Sequence, residues 1–227
     1  MTIHSLRPAH DQLAYTFGGV APLITVGPGD LVEVFTEDCF GGRVTSPGQI
    51  ASEVVRDDEL DSVSGPIFVT GAEPGDVLAV HLVSIRPARP HAISASFPGF
   101  GALGTTQQTA MLHDPLEERL WFYDLDLDAW TATFRARLSD FAAVLPLDPM
   151  MGTIGVAPGS GEARLTVTPS TYGGNMDSPE VRAGTTLYFP VNVPGALLGL
   201  GDGHARQGEA EIIGSGLECA MEVVLAV

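Results

Sequence analysis

The side chains best suited to chemistry crowd into Gly201-Asp202-Gly203-His204-Ala205-Arg206-Gln207-Gly208-Glu209-Ala210-Glu211. If Ala205 to Gly208 forms the loop of a hairpin, His204 faces Glu209 and Asp202 faces Glu211. Residues two apart on a strand share a face, and directly opposed residues share it too, so all four polar side chains converge. Gly201, Gly203 and Ala210 then fall on the other side and allow close approach there. Two unit charges ~4 Å apart repel by roughly 4 kcal/mol at an effective dielectric of ~20. A proton or a cation relieves that repulsion. One imidazole with carboxylate oxygens suits zinc or a similar divalent metal. Such a metal, with an open position, polarises a carbonyl and supplies hydroxide near neutral pH. A spare carboxylate can act as general base and then hand the proton to a leaving amine. Against this, the chain has 28 acidic residues, so acidic pairs also arise by chance. Glycines that mark a loop instead of a strand would undo the facing.

A second constellation is Tyr172-Gly173-Gly174-Asn175-Met176-Asp177. Gly-Gly before Asn allows backbone turning and close ligand approach. The Asn175 amide can donate to and accept from an amide substrate, and an ordinary turn explains the same composition. A third is Thr36-Glu37-Asp38-Cys39-Phe40-Gly41-Gly42. Asp38 there sits at a strand end, where β scaffolds carry sites, or closes an acidic turn. Cys39 has no neighbouring base and reads as a small buried thiol. His81 lies in an apolar run, while His4, His10, His91 and His113 stand alone. No GxSxG is present, and Gly214-Ser215-Gly216 lacks a strand-to-helix context.

These groups need a scaffold, and the pattern predicts strands. Short apolar or alternating runs span 31–36, 66–70, 77–85, 131–138, 164–168, 186–191 and 217–227, separated by 27 Gly and 17 Pro. That rhythm predicts a mainly β fold, sandwich- or barrel-like, with few short helices. Val77 to Val83 reads as an interior strand and Thr131 to Leu138 as a half-exposed one. Gly27-Pro28-Gly29-Asp30 and Pro74-Gly75-Asp76 are turn chemistry before strands. Asp114-Pro115-Leu116-Glu117-Glu118 can open a short helix, with Asp114 as N-cap. Residues 87–104 read as an irregular loop, near a site or on the surface. No repeat or low-complexity linker interrupts the chain, and its length predicts one domain across 1–227.

Composition excludes several function classes. The formal charge is −17, which opposes nucleic acid and anionic membrane as partners. All eleven basic residues are arginine, so lysine-dependent chemistry is ruled out, including Ser-Ser-Lys and Glu-Lys-Cys amidase designs. Two cysteines make no disulfide framework and fit a reduced, cytoplasmic setting. The first residues show no secretory apolar segment, and no run approaches a membrane span.

Several stretches together resemble the acetamidase/formamidase family. They are Gly65-Pro66-Ile67-Phe68-Val69-Thr70-Gly71-Ala72-Glu73-Pro74-Gly75-Asp76, Gly152-Thr153-Ile154-Gly155-Val156-Ala157-Pro158, and Gly173-Gly174-Asn175-Met176-Asp177. They continue with Leu187-Tyr188-Phe189-Pro190-Val191, Val193-Pro194-Gly195-Ala196-Leu197 and the segment from Gly201 to Glu211. The resemblance runs in order from about Val26 onward and is densest after Ser170. It implies a sandwich-like fold, hydrolysis of short amides to acid and ammonia, a divalent metal and homo-oligomers. Carried over by position, it implies Asp38, Asn175, Asp177, Asp202, His204 and Glu211 as site residues, without fixing which of them are ligands; the expected division makes Asp38, Asp202 and His204 metal ligands and Glu211, Asn175 and Asp177 catalytic. Tyr172, Gly174 and Glu209 would contact substrate. The chain departs at Glu209 for Asp, Ala210 for Gly, Tyr172 for His and Cys39 for Ala, and its middle is short.

The resulting expectation is a metal-dependent hydrolase of small, neutral, linear amides. Zinc is the expected metal, with calcium as the alternative, and the assembly a homodimer or higher homo-oligomer. Glu211, if not itself a ligand, would be the general base, and Asn175 would orient the amide or its oxyanion. The competing expectations are a non-catalytic β module that binds metal or a small ligand, and a hydrolase of the same scaffold acting on another amide or ester.

Overall fold

The structure is a computed structural model and describes residues 1–104, 114 and 116–227. Its strands, in chain order, begin with β1 (Ile3–Leu6), β2 (Thr16–Phe17), β3 (Ile24–Val26), β4 (Leu31–Thr36), β5 (Val63–Val69), β6 (Val77–Pro87), β7 (His91–Ser96) and β8 (Arg119–Asp126). They continue with β9 (Thr131–Arg135), β10 (Ala142–Pro146), β11 (Met150–Gly155), β12 (Arg164–Leu165), β13 (Gly173–Asn175), β14 (Thr186–Pro190), β15 (Leu198–His204) and β16 (Met221–Ala226). One five-stranded sheet has the order β1-β4-β16-β6-β14 and a second the order β13-β11-β15-β5-β3. A four-stranded sheet runs β10-β9-β8-β7, and β12 pairs β2. β1 with β4 and β3 with β5 are parallel.

Period-two patterning explains the first sheet. On β4, β16 and β6 the buried residues alternate: Val32 and Val34; Met221, Val223 and Leu225; Leu78, Val80 and Leu82. They form one core with Ile67, Ile154, Leu198 and Leu200 of the second sheet. Two sheets burying one face each against a common core is the logic of a β-sandwich. A second apolar cluster gathers Cys39, Phe40, Leu60, Ile93, Ala95, Phe97 and Leu120. Turn chemistry closes the entry to β4, where Asp30 accepts hydrogen bonds from Gly27 N at 3.0 Å and Thr2 N at 2.6 Å. The same carboxylate therefore ties β1 to the turn it runs beside.

The mainly β expectation holds. Helix is confined, among the described residues, to α1 (Ala51–Val54) and two 3-10 turns, His10–Gln12 and Asp57–Glu59. β6 lies between β14 and β16, but β14 pairs Val77 to His81 and β16 pairs His81 to Pro87, so Val77 to Val83 is interior only at their overlap, and one face is open, with Val77 65% and Val83 46% exposed. Other expectations need correction. The strand expected over 164–168 stops at Leu165, because the chain turns there, with Thr168 N donating to Leu165 O at 3.1 Å. The run from 131 ends at Arg135. Residues 87–104 are not loop throughout: β7 lies within them, buried at Ala92 to Ser96. The helix start over 114–118 includes residue 115, outside the described residues, and 116–118 carry no helical turn. No helix among the described residues is long and apolar enough to cross a membrane.

Candidate functional site

β15 supplies the centre of the site. Every residue of β15 is buried. Asp202 and His204, two apart, both line one cavity, and Gly203 lies against the opposite layer, where a Cβ would fall 2.2 Å from Met221 Cγ. Close approach at Gly203 therefore serves sheet packing. The hairpin expected at Ala205–Gly208 does not form. The chain makes a longer excursion and returns at Leu217 to Cys219, with Ala205 N donating to Leu217 O at 2.7 Å and Cys219 N to Gly203 O at 2.7 Å. Glu218, not Glu209, is bridged to His204. Gly216 makes the return possible, since a Cβ there would lie 2.6 Å from His204 Nδ1.

The cavity measures about 280 Å³. Its polar side consists of Asp61, Asn175, Asp177, Asp202, His204, Glu211 and Glu218; Phe40, Leu60, Phe97 and Phe100 supply apolar wall, and Cys39 also lines it. Asp61, Asp177, Asp202 and Glu211 all have positive φ, between 40° and 52°. They are four of the eight described residues other than glycine with that conformation. Non-glycine residues in this region are uncommon and cost backbone energy that persists only where surroundings enforce it, typically at sites.

Hydrogen bonds fix the imidazole. Gln207 Nε2 donates to Asp177 O at 2.6 Å, which leaves Gln207 Oε1 to accept from His204 Nδ1 at 2.7 Å. The proton thus resides on Nδ1. Nε2 points at Asp202 Oδ1 (3.2 Å), Glu218 Oε2 (3.1 Å) and, further off, Asp177 Oδ1 (4.0 Å). Glu218 Oε2 and Asp177 Oδ1 are buried and accept no hydrogen bond. Thr153 Oγ1 lies 3.1 Å from Asn175 Oδ1 and 3.2 Å from Asp202 Oδ2. A Cβ at Gly152 would fall 2.3 Å from Asp202 Oδ2 and 2.6 Å from Asp177 Oδ1, so only glycine leaves room for both carboxylates.

Electrostatics follows from this crowding. Burial works against a charged His204, but the Glu218 and Asp202 carboxylates outweigh it and hold its pKa well above the usual value. Burial, reinforced by Asp202, raises Asp177 to about 8. Burial and neighbouring carboxylates also raise Asp61, Glu211 and Glu218. Asp202 is lowered: burial opposes this, and His204, Glu218 and Thr153 prevail. Without a cation the cluster must therefore hold several protons. An imidazole nitrogen aimed at buried carboxylate oxygens, where a cation can replace its proton, with the other nitrogen tied to an amide, is the arrangement that suits a divalent cation. Asp177, His204 and Glu211 each offer a ligand atom within 4.8 Å of the others. The residues present fit the metal expected from the sequence.

The sequence-predicted residues divide into two groups. Asp202, His204, Glu211, Asn175 and Asp177 come together in the cavity. Asp38 does not line it: Phe40 N and Gly42 N each donate to Oδ1 at 3.0 Å, and Arg89 Nη1 reaches Oδ2 at 3.2 Å. Burial raises its pKa to about 6 against those contacts. Tyr172 is core, packed on Phe17 and donating to Thr168 O at 2.8 Å. Gly174 packs on backbone, where a Cβ would lie 2.6 Å from Thr168 O. Glu209 is exposed outside the cavity. Sequence reasoning missed Asp61, Glu218, Gln207 and Gly152. Glu218 had a signal, as a lone acid in an apolar run before a strand. Cys39, a small buried thiol by its sequence context, is buried and also lines the cavity.

The model of the Acetamidase/Formamidase family matches residues 17–161 and 160–227. The acetamidase of Mycolicibacterium smegmatis is 29% identical over 238 residues, covering 83% of this chain and 58% of that protein. The formamidase of Methylophilus methylotrophus is 28% identical over 237 residues, covering 84% of this chain and 57% of that one. This chain thus spans a little over half the length of those relatives. The crystal structure of an acetamidase from Yersinia enterocolitica superposes with a TM-score of 0.88 at 37% identity, covering 100% of this chain and 67% of that one. A family model that accounts for most of the sequence, and a solved acetamidase matching its whole length, place this chain in the acetamidase/formamidase family.

Proposed function

We propose that this protein hydrolyses the C–N bond of small, neutral, linear amides, releasing ammonia and a carboxylate, and that it needs a divalent cation, zinc before calcium. The observation that carries this reading is His204 Nε2 facing buried carboxylate oxygens while Nδ1 is tied to Gln207. A cation bound there supplies a Lewis acid for the amide carbonyl and an acidified water.

The chain's own groups divide the remaining work. His204 and Asp177 would hold the cation, with Asp202 beside them, and Glu211 close by but left free for proton transfer. Glu211, half-buried with a raised pKa, is suited to take a proton from water and return it to the departing nitrogen. Asn175, its Oδ1 near Thr153 Oγ1, has a side-chain NH₂ available to the carbonyl or its oxyanion. Phe40, Phe97 and Phe100 give the acyl group an apolar wall. A homo-oligomer forms part of the proposal, and the exposed Val77, Val83 and Tyr188 on the outer face of β6 and β14 are available for it.

Ammonia release from formamide and acetamide, with and without chelator, tests the reading. Activity lost on metal removal and regained on zinc addition is the expected result, with His204→Ala folded and at least ~100-fold slower. Full activity after rigorous stripping would defeat it. The same cluster of ligand atoms also serves a second reading, a cation-binding β module without turnover. Bound metal and no ammonia from any amide would establish that instead.

A further inference from the structure

We propose that Cys39, Asp202 and Glu218 form a second, thiophilic cation position beside the one built on His204. The proposal deepens the reading of the same cavity and rests on that cavity holding a cation. The Cys39 Sγ and one carboxylate oxygen from each acid lie within 4.8 Å of one another. All three residues are buried, at 8%, 2% and 2% exposure. Independent of the cysteine, Glu218 Oε2 is fully buried and accepts no well-formed hydrogen bond, although His204 Nε2 lies 3.1 Å away. Its other oxygen is occupied by Gly216 N at 2.7 Å.

The other cysteine provides a contrast. Cys219 Sγ approaches the carbonyls of His91 (3.4 Å) and Ala220 (3.3 Å), as a core thiol does. Cys39 instead lines the cavity among carboxylates. Asp202 is common to both positions, with Oδ1 3.2 Å from His204 Nε2.

The donor set dictates the ligand. A thiolate with two carboxylates favours zinc, cobalt or cadmium over calcium and magnesium. On binding, the S–H bond breaks, an S–metal bond forms and the proton leaves to solvent, so uptake releases acid.

Metal-free protein titrated with cobalt(II) tests the proposal, because a sulfur ligand gives a thiolate-to-cobalt charge-transfer absorption that carboxylates and imidazole do not. We expect two equivalents bound with that absorption in the wild type. Cys39→Ser and Cys39→Ala, checked for folding by circular dichroism, should bind one equivalent without it. In the wild type itself, cobalt should also block modification of one thiol by a disulfide reagent. One equivalent with no sulfur absorption and no thiol protection overturns the second position and leaves the His204 position standing. No cobalt bound at all overturns both. Two equivalents retained in both variants with unchanged spectra also overturns it.

Discussion

At His204 a proton and a divalent cation compete for one lone pair, and Gln207 decides which lone pair that is. Outer partners of this kind fix the tautomer and ring orientation of a ligand. Gln207→Ala is therefore expected to weaken zinc binding roughly 10–100-fold with little loss of fold. Equilibrium dialysis or competition with a zinc indicator measures it; unchanged affinity would mean the tautomer is set elsewhere. The same crowding makes metal-free stability depend on pH. Asp177 is raised from 3.8 to about 8, so between those values the folded state binds a proton the unfolded chain has lost. Its contribution is present in full at acid pH and disappears as pH rises through about 8. Asp61, Glu211 and Glu218 shift in the same direction. Metal-stripped protein should melt at progressively lower temperature from about pH 4 to 8, and Asp177→Asn should flatten the profile, at roughly 2–4 °C per kcal/mol. A profile of the opposite slope in the stripped wild type would contradict this.

At the scale of elements, the decisive feature is the contact between β15 and β16 through Gly203. The added Cβ of Gly203→Ala meets Met221 Cγ and, at 3.1 Å, Cys219 O. Overpacking of that kind costs about 1–3 kcal/mol, which urea denaturation can measure. Trimming the partner in Gly203→Ala/Met221→Ala should give a negative coupling, with the pair less damaged than the sum of the single changes. Strictly additive losses would show that the two layers do not meet there. This contact also explains what could be read from the sequence and what could not. The pairing of Asp202 with His204 follows from strand periodicity, and the glycines between and before them do mark close approach. Which acid faces His204 did not follow, because it depends on where the chain returns. The excursion from Arg206 to Gly216 replaces a four-residue turn, so Glu218 takes the place assigned to Glu209. Asp61 was hidden for a different reason. It follows the acidic run Asp57-Asp58-Glu59 and reaches the cavity through a backbone conformation, φ 52°, that composition does not announce. Asp38 was misplaced because a strand-end acid serves equally well to bind its own loop's N–H groups, and here Phe40 and Gly42 claim it.

At the scale of the whole molecule, the strands and the two packed sheets were legible because turn residues and alternation recur along the chain. The order of strands was not, because the pairs that matter are remote in sequence. β16 lies between β4 and β6, with Met221 in register with Thr36 on one side and Pro87 on the other. Bringing such distant segments together costs loop-closure entropy before any contact repays it, which slows folding. During synthesis β4 and β6 leave the ribosome with the slot between them vacant, exposing two strand edges with unpaired backbone groups. The sheet can shut only once residue 226 has been released, and Glu218 arrives just ahead of it. Closing this sheet therefore waits for β16, and the interval before it emerges is when a chaperone would have the most to protect.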